Sequence, residues 1–491
     1  MRKHLKFAGK CVVFVCILCI CVAALYRIML PKGFVNGTWP NTSTHVGFYE
    51  MEENTIDVLF LGSSSTVTSF IPQELYNNYG ITSYNLGCTQ QNMVSSYFWL
   101  REVLEYQRPK ALVLDCFFMF LYDASEPNNL KESAIREALN YMRWSPVKQE
   151  AIKTICELDD RQSPLDYYFI NNRYHTRWTN LEEKDFLFAD MSRHNELKGY
   201  SPIAKYCGYN YVPFEAETAE DAEESADLVP LMEEYLDKIV ELCKQEGIEL
   251  ILTAAPNVEE NIGRYKVIQK YADGHNLLFL DFNEKELYEK IDFQFKVDHA
   301  DRHHSNLWGA QKVTNYIGEI LKEQYGVEAR DDEQWENTKA YYEQVQKDCE
   351  LAHIENIDEY LTQVHDDRYS IFISTKGLYA SHLKDSTAQK LKELGLMDLK
   401  GEKRYCYYAV ISDGKIEEQI AYEPISHSGT ISNNRLTYDI TGAGSIIIDE
   451  EEQSQDGGGF NFVVYNNDTM KLIDSVCFNT CEEENGAVRQ K

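Results

Sequence analysis

The stretch Ile56-Asp57-Val58-Leu59-Phe60-Leu61-Gly62-Ser63-Ser64-Ser65 decides the fold. Its first six positions are apolar except for one aspartate and stop at a glycine, as expected of a strand buried on both faces of a parallel sheet that must then turn sharply. Comparable short runs recur at Thr82 to Leu86, Ala111 to Leu114, Ile248 to Thr253 and Leu277 to Leu280. Between them the apolar spacing becomes helical, most clearly at Leu228, Leu231, Tyr235, Leu236, Ile239, Leu242 and Cys243, one apolar stripe on an otherwise acidic segment. Strands alternating with helices predict a three-layer α/β domain with a parallel sheet over residues 55–325. A long insert, residues 122–225, separates the third strand from the fourth and carries the aromatic, basic run Arg173-Tyr174-His175-Thr176-Arg177-Trp178. Inserts placed after strand ends shape the rim of a site.

The chain has 491 residues, more than one compact core usually holds, and 44% of them are hydrophobic, enough to bury real cores. Residues 326–353 are polar and helix-prone and read as a connector. A smaller β-rich domain follows over residues 354–480, with strands at Tyr369 to Ser374, Tyr405 to Ile411, Lys415 to Ala421, Ser445 to Ile448 and Phe460 to Tyr465 and one helix across Ser386 to Leu396. Residues 481–491 read as a tail. Asp plus Glu number 79 against 48 Lys plus Arg, a formal charge of −31. That field repels a phosphate backbone, and no basic patch offsets it, so nucleic acid is excluded as a partner.

At the amino terminus, Arg2, Lys3, Lys6 and Lys10 precede the uncharged, apolar run Cys11 to Tyr26. Residues 11–30 are about the length that crosses a bilayer as a helix, and the leading positive charge predicts residues 1–10 in the cytoplasm and the rest outside, in the cell membrane as a single-pass protein. A cleaved signal peptide, with Val22-Ala23-Ala24 as the cleavage region, is the competing reading. Residues 31–54, rich in Gly, Asn, Thr and Pro, read as a stalk. Four of the thirteen cysteines lie in the span, and the other nine have irregular spacing and no CxxC pair, which suits buried small hydrophobes better than a disulfide framework or a zinc site.

Two segments carry chemistry. Ser64 stands where the first strand ends, at the carboxyl edge of the sheet and beside a helix start whose free N–H groups favour an oxyanion. Near the end of the same domain, Asp301-Arg302-His303-His304-Ser305-Asn306-Leu307-Trp308-Gly309-Ala310 puts an aspartate three residues before a histidine. On one tight turn that carboxylate accepts the Nδ1 proton and leaves Nε2 as a general base. Taken singly, each has a plain structural reading as a turn or a helix cap. His303 reads as a rim residue and Asp298 as a turn residue. Arg177 and Trp178 are candidate substrate contacts, since Trp stacks on sugar faces and Arg forks onto carboxylates, and equally a structural pair.

Together these segments resemble the SGNH hydrolase superfamily, a GDSL-like α/β/α fold that includes esterases and polysaccharide O-acetyltransferases. The likeness covers residues 55–325. It implies Ser64 as nucleophile, His304 and Asp301 as its partners, and an oxyanion hole from the amides of Ser64 and of Gly87, which follows the second strand in Asn85-Leu86-Gly87. The family's Gly-x-Asn-Asp block after the third strand is absent, the chain reading Val113-Leu114-Asp115-Cys116-Phe117 instead. An anionic Asp115 cannot donate, so Gln91 or Asn92 is left as the third donor. Residues 358–480, through Gly457-Gly458-Gly459-Phe460-Asn461-Phe462-Val463-Val464-Tyr465 and Val476-Cys477-Phe478-Asn479-Thr480, resemble the interleukin-like EMT inducer (ILEI) domain, whose sandwich-like members include carbohydrate binders. The expectation is an extracellular serine esterase or O-acyltransferase acting on cell-surface polysaccharide, without cofactor or metal, with a membrane acyltransferase as possible partner. A non-catalytic glycan-binding or cell-envelope assembly protein on the same fold is the alternative.

Overall fold

The computed structural model describes residues 2–33, 39, 41–186, 196–216, 226–400, 406–431, 436–469, 471–483 and 486–489. Most of the acidic end of the insert, residues 217–225, and parts of the expected stalk and tail lie outside them. The chain divides into two units, residues 1–342 and 343–491.

In the first unit the chain runs α1 (Arg2–Met29), α2 (Asn41–Phe48), β1 (Val58–Leu61), α3 (Ser64–Ser69), α4 (Pro72–Tyr79), β2 (Ser83–Asn85), α5 (Met93–Val103) and β3 (Ala111–Asp115). The insert supplies α6 (Glu132–Asn140), α7 (Pro146–Leu158), α8 (Pro164–Tyr168) and α9 (Ile170–Tyr174). Then come α10 (Pro230–Glu246), β4 (Glu249–Ala254), α11 (Ile262–His275), β5 (Leu278–Asp281), α12 (Lys285–Lys290), α13 (Phe295–Asp298), α14 (Leu307–Glu323) and α15 (Glu333–Glu336). The five strands form one parallel sheet in the order β2-β1-β3-β4-β5. This is a doubly wound order whose switch point lies between β1 and β3, the place where ligands of such sheets bind.

The near-continuous apolar runs follow from burial on both faces. Leu59, Leu61, Leu112, Leu114, Leu250 and Leu252 join one core with residues of α5, α7 and α10. Their alternates Val58, Phe60, Ala111, Val113 and Ile251 join the other with residues of α4 and α14. The apolar stripe lies on α10, whose buried face also includes Met232 and Val240. Part of the expected stalk is structure of a different kind. α2 lies within it and buries Thr42, Ser43, Thr44, His45, Gly47 and Phe48, with Phe48 in the first core. The residues of α2 are mostly small and polar, so no apolar period marked it. The expected connector is also divided, since Trp335 of α15 is buried in the first core.

The second unit begins within α16 (Lys339–Leu351) and is β-rich. α17 (Ile357–Gln363), β6 (Tyr369–Lys376), α18 (Asp385–Glu393), β7 (Cys406–Ser412), β8 (Lys415–Ala421), β9 (Ser426–Ile431), β10 (Leu436–Thr441), β11 (Ile446–Ile448), β12 (Glu451–Glu452), β13 (Gly459–Asn466), β14 (Lys471–Phe478) and β15 (Ala487–Val488) form two antiparallel sheets. One has the order β15-β14-β13-β6-β7-β8 and the other β12-β11-β10-β9. Alternation along β6 separates two cores: Ile371 and Ile373 meet Tyr360 and Leu391 of the helices, while Phe372 meets Tyr438 and Ile440 of the smaller sheet. β9 and β10 were not legible as strands because their outward positions are Ser, Thr and Asp.

At the carboxyl ends of β3 and β5, Asp115 and Asp281 are buried, with buried Glu260 nearby. Burial pushes Asp115 up to about 6, against bonds that pull it down, chiefly from the Ala255 amide. Burial and mutual repulsion push Glu260 and Asp281 up as well. An acid whose folded pKa is raised binds its proton more tightly folded than unfolded, so stability is greatest below about 4 and falls as pH rises through the folded values. Asp281→Asn keeps an acceptor for Asn283, whose amide bonds Asp281 Oδ1 at 2.9 Å, and removes the charge. Relative to wild type it should be more stable at pH 7.5 than at pH 4.5 by about 1–3 kcal/mol in denaturant titrations. An equal effect at both pH values would show that the carboxyl titrates normally.

Candidate active site

Gly62 ends β1 with φ +156°, and a Cβ there would collide with Thr66 Oγ1 and lie 2.6 Å from Asp115 Cβ. Only glycine lets the chain leave the strand at this point. Ser63 then caps α3, its hydroxyl accepting from the Ser65 amide at 3.4 Å, and Ser64 becomes the first residue of the helix. The amide of a first helical residue has no intrahelical carbonyl to bond. Asn85 holds α3 in place from β2, its side-chain amide donating to the Thr66 carbonyl at 2.8 Å and the Phe70 carbonyl at 3.3 Å.

The second segment is fastened to this turn. Ser65 Oγ donates to the His303 carbonyl at 3.2 Å, the Ser69 and Ser305 hydroxyls share a bond of 2.9 Å, and the Ile71 amide donates to Thr314 Oγ1 at 2.9 Å. Asn306 caps α14 by accepting from the Gly309 amide at 3.1 Å, and its Nδ2 donates to the Val297 carbonyl at 2.6 Å. A Cβ on Gly309 would run into the Asp298 carbonyl. Asp298 itself accepts from the Gln294 amide at 2.6 Å and from Lys312 at 2.7 Å, a structural use.

These fastenings bring three side chains into line. His304 Nε2 is 2.9 Å from Ser64 Oγ, and His304 Nδ1 is 3.0 and 2.9 Å from the two carboxylate oxygens of Asp301. The Asp301 Oδ1 also accepts the backbone amides of His303 and His304 at 2.8 and 3.0 Å. Partial burial works to raise this carboxyl, but the bonds from His304 and the two amides outweigh it and hold it at about 2. It is therefore an anion at any ordinary pH, able to fix the Nδ1–H tautomer and leave Nε2 to take a proton from the hydroxyl.

His303 turns aside, its Nδ1 3.1 Å from Asn257 Oδ1. His299, buried and stacked on Phe295 at 4.1 Å, places Nδ1 3.0 Å from the Asp301 carbonyl, and burial pushes it down to about 4. It thus supports the loop as a neutral ring. Trp39 lies against the catalytic-type imidazole, its ring 5.0 Å from that of His304. Sequence reasoning missed it, because a lone Trp-Pro in a polar stretch carries no period or spacing signal. With Val67, Gly87, Thr89 and Glu137, Trp39 lines a small pocket beside the triad.

Of the expected oxyanion donors, Gly87 sits close under the turn, where a Cβ would lie 2.9 Å from the Gly62 carbonyl oxygen and 3.1 Å from that of Ser63. Its amide donates to Asn85 Oδ1 at 3.1 Å. Gln91 gives one N–H of its side-chain amide to Ser96 Oγ at 3.1 Å, and Asn92 gives one to the Asn129 carbonyl at 2.8 Å, so each side chain is held by a structural bond. Asp115 accepts from the Ala255 amide at 3.1 Å and, with its pKa near 6, carries a proton at mildly acid pH instead of standing as a fixed anion. Arg177 bonds the Met29 carbonyl at 2.7 Å and buried Asp185 at 2.9 Å, committing its guanidinium to the end of α1, and Trp178 beside it is 68% exposed. Among the described residues, no group of three His, Cys, Asp or Glu side chains is arranged to hold a metal ion. No protein-family model matches the chain, and no curated protein matches it. Gly62→Ala should lower stability by about 2–4 kcal/mol in denaturant unfolding, from collision and backbone strain together; a near-neutral change would mean the turn is looser than described.

Proposed function

We propose that the chain is a membrane-anchored serine enzyme of the SGNH hydrolase type that handles acyl groups on cell-surface polysaccharide. The observation that carries this reading is the hydrogen-bonded line Ser64 Oγ, His304 Nε2, His304 Nδ1, Asp301, with every link between 2.9 and 3.0 Å. As the Ser64 oxygen attacks an acyl carbonyl, His304 takes its proton and Asp301 stabilises the resulting imidazolium. The carbonyl π bond opens to an oxyanion, which the Ser64 amide faces; the Gly87 amide serves only by leaving Asn85 Oδ1. Collapse expels the leaving alkoxide with the proton from His304, and the Ser64 acyl ester then passes its acyl group to water or to a sugar hydroxyl by the same steps in reverse.

Anchoring rests on α1, whose segment Lys6–Met29 is long and apolar enough to cross a membrane. The leading basic residues favour a cytoplasmic amino terminus and an external catalytic unit. A membrane acyltransferase partner that supplies acyl groups fits that placement. The β-rich unit, read as ILEI-like, would bind glycan. The engagement of the Gly87 amide by Asn85 favours the second reading, a glycan-binding or envelope-assembly protein that keeps the fold without turnover.

Labelling separates the two. A serine-directed phosphonate should modify Ser64, identified by peptide mass spectrometry, and Ser64→Ala and His304→Ala should each lower hydrolysis of an activated acyl ester by at least about 10³-fold, because nucleophile and base act as one unit. Asp301→Asn should lower it by about 10²–10⁴-fold. An unlabelled Ser64 together with intact glycan binding would leave only the second reading.

A further inference from the structure

The insert presents apolar side chains that its own packing does not use. Trp144 is 49% exposed, Leu165 59%, Phe169 61% and Trp178 68%. Trp144 and Tyr168 stack with ring centres 5.5 Å apart. The cluster is not scattered over the surface: Trp144, Tyr168 and Phe169 form one wall of an apolar groove whose other wall is Leu18, Val22 and Ala23 of α1.

The end of α1 is held to this part of the insert by partly buried polar contacts. Arg177 donates to the Met29 carbonyl at 2.7 Å, and Lys32 donates to the Asp185 carbonyl at 3.0 Å and the Arg27 carbonyl at 2.6 Å. Tyr141 donates to the Pro31 carbonyl at 3.0 Å. Asp185, which also receives Arg177, has a fully buried side chain. These bonds fix the height of the insert along the helix. Val22 stands seven residues before Met29, about 10 Å along the axis at 1.5 Å per residue. The groove runs along α1 from Leu18 to Arg27, so its aromatic wall reaches from the interface, a zone that favours Trp and Tyr, into the acyl chains.

We infer that the face of the insert formed by Trp144, α8 and α9, with Trp178 beside it, is a membrane-docking surface occupied by the lipid of the bilayer that α1 crosses. This rests on the anchor reading of α1. The occupant follows from continuity: one wall of the groove is the spanning helix itself, so whatever fills the groove shares its hydrocarbon surroundings. Docking sets the first unit on the lipid in one orientation, and the tether makes the site membrane-proximal. Trp39 lies nine positions beyond Leu30, at most about 30 Å of extended chain.

The six tryptophans allow a direct test, because none lies in α1. The full chain, reconstituted in vesicles of three parts phosphatidylcholine to one part phosphatidylglycerol, should lose up to about a third of its tryptophan emission when the lipid is brominated near the headgroup. Bromine deep in the acyl chains should quench less. Trp144→Phe with Trp178→Phe should abolish most of that loss, and Leu165→Glu with Phe169→Glu should reduce it while the tryptophans remain. Unquenched emission from chain that has entered the vesicles would overturn docking and leave the anchor standing; if cross-linking then joins copies through Trp144→Cys, a second copy covers the groove instead. Chain that stays out of the vesicles, though folded, would overturn the anchor and docking together.

Discussion

The backbones of β1, β2 and β3 converge at the carboxyl edge of the sheet so tightly that Gly62 has no room beside Thr66 and Asp115, and Gly87 has none beside the carbonyls of Gly62 and Ser63. The position of the Ser64 hydroxyl depends on this crowding. α3 has six residues, too few to hold itself as a helix, so its geometry comes from its neighbours. Asn85 takes the carbonyls of Thr66 and Phe70, and Ser65 and Ser69 bind the loop that bears His304. A hydroxyl, an imidazole and a carboxylate from positions 64, 304 and 301 meet because the turn and the loop share these bonds.

Carboxyl groups of one chemical kind are set to different ends in this unit. Asp301, half exposed and receiving an imidazole and two amides, is kept ionised in spite of its partial burial. Asp115, Asp281 and Glu260, inside the sheet edge, are shifted upward by burial, and for Asp281 and Glu260 repulsion from neighbouring carboxylates adds to it. The formal charge of −31, which counts all three as ionised, therefore overstates the negative charge of the protein at mildly acid pH.

Much of the sheet was legible because strands buried on both faces must be apolar throughout, and all five expected runs overlap strands of the sheet. The meeting of Ser64 with His304 and Asp301 was expected from the resemblance to the SGNH hydrolases, since either segment alone reads equally well as a turn or a helix cap. What escaped notice depends on contacts that no local pattern encodes. α2 is buried through Thr, Ser and His side chains, and Trp39 reaches His304 from a segment without periodicity. Gln91 and Asn92 stand at the expected place for donors, but their amides are taken by Ser96 and Asn129, and a sequence does not say which acceptor is nearer. Arg177 reads equally as a ligand contact or a clamp until the carbonyl of Met29 is found against it.

The contact between Trp39 and His304 joins the segment that follows α1 to the triad. A version of the chain trimmed to begin at β1 would retain serine, histidine and aspartate but would lack the indole that screens one side of the imidazole from water. Truncation before β1 is thus not neutral for this protein: the stretch that follows α1 is also one wall around the imidazole of the triad.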